Sequence, residues 1–280
     1  MTESIARVSI HGAHSGEFCA HATDRLEAVI QRYIELGFQW AGITEHMPPV
    51  EERFVYPEEK EMGLTPEDHW KRFSAYIQEA RRLQKHYADR ITLYVGMETE
   101  GYSHAEAAIH RAISLFHPDY LVGSIHHVAD SQIDGDALSY WRLAERLGGI
   151  DSLYARYFDR QYELIFNVSP KVVGHFDLIR IFDPDYPARW KVPAIWDRVE
   201  RNLRLIRDRG MILDFNARAL FKGAIEPYVS APVLCRALEL GIPAVPGDDS
   251  HGVTTAGMNV DKAIDILKRS GFDTRWKTPN

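Results

Sequence analysis

Cysteine is scarce in this chain: 280 residues hold only Cys19 and Cys235, far apart in the sequence. The opening stretch MTESIARVSI also lacks the charged-then-apolar pattern of a secretory leader, and the two features together point to a reducing cytoplasm. No apolar run approaches the ~18–20 residues that a bilayer crossing needs, so no membrane association is expected. A basic stripe is missing too. Net charge is −7 with an isoelectric point near 6.0, and lysine and arginine are scattered, which argues against a nucleic-acid partner. Nor is there a Pro/Gly/Ser-rich linker, a low-complexity tract or a clear internal repeat. With 45% hydrophobic residues, the composition fits one domain spanning 1–280 with a substantial core.

What the chain does have is alternation. Short β-rich apolar runs exchange with longer amphipathic ones from end to end, which is α/β organisation. The strand candidates are ARVSI, FQWAGIT, ITLYVGM, DYLVGSI, KVVGHF, MILDFNA and IPAVPG, near-continuous apolar runs of the kind buried on both faces of a parallel sheet. Thr65 before Pro66 with Asp68 three residues on, Ser103 with Glu106, and Ser230 before Pro232 read as helix N-terminal caps. Gly37, Gly210 and Gly241 sit where a helix ends and a strand begins, a place for a left-handed glycine.

The strand ends carry the chemistry. SIHGAH, ITEH, GMETE, GSIHH, VGHFD, FNAR and GDDSH follow the seven strands in order, and nearly all bring His, Asp or Glu. In an open sheet the outer strand ends lie too far apart to share a site, whereas in a barrel they all face one mouth. A closed barrel is therefore expected. Imidazole and carboxylate together suit Zn, Mn or Fe as divalent ions, and about nine candidate ligands exceed the roughly three that one open catalytic zinc takes, so two or three ions are implied. Such a cluster can share a hydroxide whose pKa drops from about 15.7 towards neutrality, and it can grip phosphoryl oxygens. Phosphate-monoester hydrolysis requires accelerations up to ~10²¹, of which good positioning supplies only about 7–11 kcal/mol, so strong charge stabilisation is needed. The expected substrate is a small phosphate ester.

In that order and on those strand ends, the motif set resembles the PHP (polymerase and histidinol phosphatase) superfamily. FCAHA and the acidic, proline-containing insertion TEHMPPVEERFVYPEEKEMGLTPEDHW resemble its histidinol-phosphatase branch, and the likeness covers essentially the whole chain. The resemblance implies a distorted (β/α)7 TIM-like barrel with two or three divalent ions at the C-terminal ends of the strands. Carried over by position, it implies His11, His14, His21, His46, Glu98, His126, His175, Asp249 and His251 as metal ligands, with Glu98, Asp249 and His251 holding a bridging hydroxide. It further implies hydrolysis of L-histidinol phosphate in histidine biosynthesis. One departure stands out: the usual first motif is HxH, whereas here two residues separate His11 from His14. On a regular strand that step puts the two imidazoles on opposite faces, unless a bulge, which Gly12 would permit, intervenes.

Neighbouring residues leave choices open. Glu98 and Glu100 share a face, and the GxE pattern of the family favours Glu98. His126 follows GSI directly and is preferred over His127, while the DxH spacing with His251 selects Asp249 over Asp248. Any one strand-end histidine is more often an ordinary hydrogen-bonding group than a ligand; the concerted set reverses this. His69, His86, His104, His110 and His117 read as surface or local structural groups, and Cys19 as small buried packing. Arg218 and Arg160 are candidate phosphate clamps, each weighed against an ordinary salt bridge. Asn216 would contact substrate or support the mouth, and Glu17 with the 47–70 insertion would meet the cationic end of the substrate. The rivals are a PHP phosphoesterase acting on a nucleotide or sugar phosphate, and a non-catalytic metal-binding barrel. An amidohydrolase-type enzyme is disfavoured because no strand end offers the bridging lysine. Oligomeric state is not legible.

Overall fold

A computed structural model describes residues 5–280. Seven parallel strands form one sheet in chain order: β1 (Arg7–Ala13), β2 (Phe38–Ile43), β3 (Thr92–Glu98), β4 (Tyr120–Gly123), β5 (Val172–Val173), β6 (Ile212–Asn216) and β7 (Ala244–Gly247). The sheet curls until β1 meets the end of β7. There Asp249 and Ser250 donate N–H bonds to the carbonyls of His11 (2.8 Å) and Gly12 (2.9 Å), and His14 donates back to Ser250 (2.8 Å). The result is the nearly closed barrel that convergent strand ends require.

Two apolar layers hold it. Inside, Val8, Ile10, Trp40, Tyr120, Val122, Val172, Ile212 and Val245 plug the barrel, and a larger cluster packs the helices onto its outer face. Tyr120 is the central plug and donates its hydroxyl to the Ile10 carbonyl at 2.6 Å. Its ring requires glycine at 42 and 96, since a Cβ at either position would strike it. A filled interior leaves the mouth as the place for chemistry.

The expected punctuation is largely present. Thr65 and Asp68 exchange side-chain-to-backbone bonds at the start of the helix Pro66–His86, and Ser230 takes the N-cap position of the helix Ala231–Glu239, although its hydroxyl makes no capping bond. Gly37, Gly210 and Gly241 take φ of +74°, +63° and +70° just past helix ends. The Ser103 cap is a correction. The helix Ala105–Phe116 starts after His104, at φ +66°, and the Ser103 N–H is donated to Asp130 at 2.8 Å. A two-stranded hairpin, His127–Val128 with Ser131–Gln132, follows β4 and was not foreseen. Both cysteines are free, Cys19 buried and Cys235 exposed. Among the described residues no helix is long and apolar enough to cross a membrane.

The decisive local feature is in β1. Its register with β2 pairs Ser9 with Ala41 but Ala13 with Ile43, so four steps on β1 match two on β2. This bulge lies at His11–Gly12, where a Cβ on residue 12 would fall against the Gly42 carbonyl oxygen. Both imidazoles thereby turn to one side, with ring centroids 5.8 Å apart. The substitution Gly12→Ala should destabilise the fold by about 1–3 kcal/mol through overpacking and weaken metal uptake. Denaturant titration together with metal analysis checks both, and an unchanged protein would contradict the bulge.

Candidate metal centre

Each strand end delivers a side chain because the strand stops where its apolar run stops, leaving the next residues at the mouth. Glu98, the last residue of β3, is the hub. Its Oε1 lies 3.1 Å from His175 Nε2 and 3.4 Å from the Nε2 atoms of His11 and His126. Its Oε2 lies 3.2 Å from His46 Nδ1 and 3.6 Å from His14 Nε2. Asp249 approaches from β7, with Oδ1 3.5 Å from His14 Nε2 and 3.6 Å from His251 Nδ1. The His14 ring packs against those of both His46 and His251, which lie 6.4 Å apart, and His21 stacks on His251 at 5.1 Å. All nine residues singled out as ligands thus meet at one place.

Several overlapping sets there bring three or more donor atoms within 4.8 Å of one another: His11, His14 and Asp249; His11, Glu98 and His175; His14, His46 and Glu98; His46, Glu100 and His126. A fifth set joins His21, His46 and His251 to Cys19, whose sulfur lies 3.3 Å from His21 Nε2. The donors fit cations better than they fit one another. His11 Nε2 and both ring nitrogens of His14 and His46 are buried without a hydrogen-bond partner, a costly state that a metal ion would relieve.

Neighbouring groups fix the orientation of these donors, which is how ligand sets are usually supported. His11 Nδ1 meets Asp214 at 2.9 Å, and His126 Nδ1 meets Glu100 at 3.1 Å. Glu100 also accepts from the Tyr56 hydroxyl at 2.7 Å and lies 3.3 Å from His127 Nδ1. Glu100 is therefore occupied in holding His126, and His127 packs against Phe54 and Tyr102 outside the cluster. Asp248 is taken up by Ser9, Tyr33 and the Gly257 N–H. Glu45 accepts the Ser15 N–H at 2.7 Å and stands 3.6 Å from His14 Nδ1.

Charge divides the cluster. Burial, reinforced by neighbouring imidazoles, pushes His14 and His21 down to about 4 and lowers His46 and His251, leaving them neutral and ready to ligate. Burial opposes ionisation of Glu98 and Asp249, but the surrounding histidines outweigh it and hold both carboxyls well below their ordinary range. For His11 and His126 burial disfavours the charge. Glu98, with Asp249 and Asp214 on His11 and Glu100 on His126, wins in each case, raising His126 to about 10.

A cavity of about 210 Å³ opens over the cluster. Arg218 lines it, with Nη1 buried and unpartnered, and so does Lys222, one helical turn further on. Glu58 and Asp134 line it as well, together with Tyr56 and Tyr228. Two expected substrate contacts are corrected. Glu17 accepts the Leu26 N–H at 2.8 Å and pairs with Arg25, satisfying the start of the helix Leu26–Glu35. Arg160 donates to the carbonyls of Gly101 and Tyr102, both at 2.9 Å, and bonds Glu163. Neither is among the residues lining the cavity. Asn216 is buried and supports the mouth, donating to Asp214 at 2.9 Å and Asp249 at 3.2 Å. Tyr56 and Glu58 lie in the insertion already suspected, and Lys222 was findable by its spacing from Arg218. Asp134 follows the unforeseen hairpin and had no signal in the sequence.

Comparisons with known proteins bear on the family and the fold. The PHP domain family model matches residues 11–218. A Schizosaccharomyces pombe protein named probable histidinol-phosphatase is 36% identical over 269 residues, covering 95% of this chain and 87% of that protein. Saccharomyces cerevisiae histidinol-phosphatase is 32% identical over 299 residues, covering 92% and 88%. The crystal structure of Lactococcus lactis histidinol phosphate phosphatase, complexed with zinc, L-histidinol and phosphate, matches with a TM-score of 0.73. At 20% identity, covering 96% of this chain and 95% of that one, it bears on the fold.

Metal loading should be coupled to proton release. With their pKa values raised, His126 and His11 hold protons at neutral pH in the ion-free protein, whereas a cation binds only the neutral ring. Apparent affinity should therefore rise with pH through the neutral range, and on the order of two protons should leave per loaded centre. Calorimetric zinc titrations in buffers of different ionisation enthalpy measure this number; heats independent of the buffer would contradict it.

Proposed function

The chain belongs to the PHP family, and from that membership and the geometry of its mouth we propose that it is a metal-dependent phosphomonoesterase hydrolysing L-histidinol phosphate to L-histidinol and phosphate. One observation carries the reading. A buried carboxylate ringed by five imidazoles shares its cavity with an unpartnered arginine nitrogen and with the carboxylates of Glu58 and Asp134. The first suits divalent ions, the second a phosphoryl oxygen and the third a cationic leaving group.

His11, His14, His21, His46, Glu98, His126, His175, Asp249 and His251 would hold two or three ions, with Zn, Mn or Fe matching the mixed imidazole and carboxylate donors. Bound there, such ions supply a water of lowered pKa and neutralise phosphoryl charge. Glu98 and Asp249, kept ionised by their histidine neighbours, add the negative charge that retains cations and orients the attacking water. Arg218 takes a non-bridging phosphoryl oxygen, where its buried nitrogen gains the partner it lacks. Lys222 adds positive charge at the same wall. Glu58 and Asp134 face the ammonium and imidazole of the substrate, and Tyr56 offers an aromatic surface. A cytoplasmic setting fits a biosynthetic role of this kind.

Purified protein loaded with Mn or Zn should release phosphate from L-histidinol phosphate with kcat/KM about 10²-fold or more above that for nucleotide or sugar monophosphates. Comparable rates on all esters would leave a general phosphoesterase, and stoichiometric metal without turnover would leave a binding module. Chelation should abolish activity and readdition restore it. Arg218→Ala should raise KM and lower kcat while metal content, measured on the same sample, stays unchanged; an unaltered KM would remove the arginine from phosphate binding.

A further inference from the structure

One wall of the cavity is held by a backbone conformation that its residue disfavours. Val229, buried and β-branched, has φ +64°, in the left-handed region where such side chains are genuine outliers. A conformation of this sort persists only where its surroundings over-determine it. Here the surroundings are explicit. Asp177, fully buried beside His175, accepts the Val229 N–H at 3.2 Å and the Ser230 N–H at 2.7 Å. Arg180 lies 3.4 Å from the same carboxylate and donates to the carbonyls of Glu226 (3.1 Å) and Pro227 (2.6 Å). Its guanidinium sits between the rings of Tyr186 and Tyr228, 4.9 and 4.8 Å from their centroids.

What this clamp holds in place is the mouth itself. Tyr228, adjacent to the strained residue, lines the cavity and exchanges both backbone hydrogen bonds with Asn216, each 3.0 Å. Asn216 in turn donates to Asp249 and accepts the Arg218 N–H at 3.0 Å. Without the carboxylate of Asp177, the two buried amides of Val229 and Ser230 lose the acceptor that favours the left-handed conformation, and Val229 is freer to return to an ordinary one. That return would turn the Tyr228 peptide out of register with Asn216.

We propose that Asp177 is a positioning residue for the reaction: it holds Val229 left-handed and so fixes Tyr228 and, through Asn216, sets Asp249 and Arg218. The proposal rests on the phosphatase reading for its effect on turnover, but the positioning has its own readout. Asp177→Asn should lower kcat/KM on L-histidinol phosphate by about 10–100-fold, the scale set by small misplacements of reacting groups. Amide exchange at Asn216 and Tyr228, followed by NMR, should quicken in the same variant. Adding Val229→Gly should restore both, bringing kcat/KM to within about threefold of wild type, because glycine enters the left-handed region without steric cost. A wild type that releases no phosphate while the exchange pattern holds would retire the phosphatase reading and support the clamp. Unchanged exchange in D177N, or a folded D177N/V229G no better than D177N in either readout, would overturn it.

Discussion

A buried carboxylate surrounded by imidazoles is the constraint on which the rest of this molecule turns. Glu98 is almost wholly out of water and has five histidine nitrogens at 3.1–3.6 Å. Each of these groups would be expensive to bury alone, and several of the nitrogens have no hydrogen-bond partner. Such an arrangement is tolerable only if the carboxylate charge is answered by positive charge. Protons on His11 and His126 answer it partly, and divalent cations, which these donors would suit, would answer it further.

The barrel exists in service of that meeting. Parallel strands in chain order bring side chains from residue 11 to residue 251 to a single mouth, and the filled interior beneath keeps their backbones rigid. The seam is part of the site: the bonds that join β1 to the end of β7 come from Asp249 and Ser250, so closing the barrel and seating Asp249 are one event. Asp249 itself sits at φ +46°, in the left-handed region that aspartate enters more readily than most residues.

Much of this was legible in the chain. The seven apolar runs locate the seven strands, and the polar residues after them locate the cluster, because both follow from local patterning. The three-residue step from His11 to His14 left two possibilities, opposite faces or a bulge that Gly12 would permit, and only the register of β1 with β2 decides for the bulge. Glu98 against Glu100 was not legible either, since both share a face; only the contacts of Glu100 with Tyr56, His126 and His127 distinguish their parts. Glu17 and Arg160 were misjudged because their partners are backbone groups, the Leu26 N–H and the carbonyls of Gly101 and Tyr102, that no motif announces. Asp134 and Tyr228 escaped notice for a related reason: a short hairpin and a strained loop bring them to the cavity through tertiary contacts.

Anomalous diffraction from crystals of the zinc-loaded protein, collected at the metal edge, bears most directly on the central claim that the residues around Glu98 would hold divalent cations. The account predicts at least two peaks flanking the Glu98 carboxylate, each about 2.0–2.2 Å from histidine nitrogens or carboxylate oxygens of this cluster. A single peak, or peaks that leave Glu98 without a metal neighbour, would contradict it.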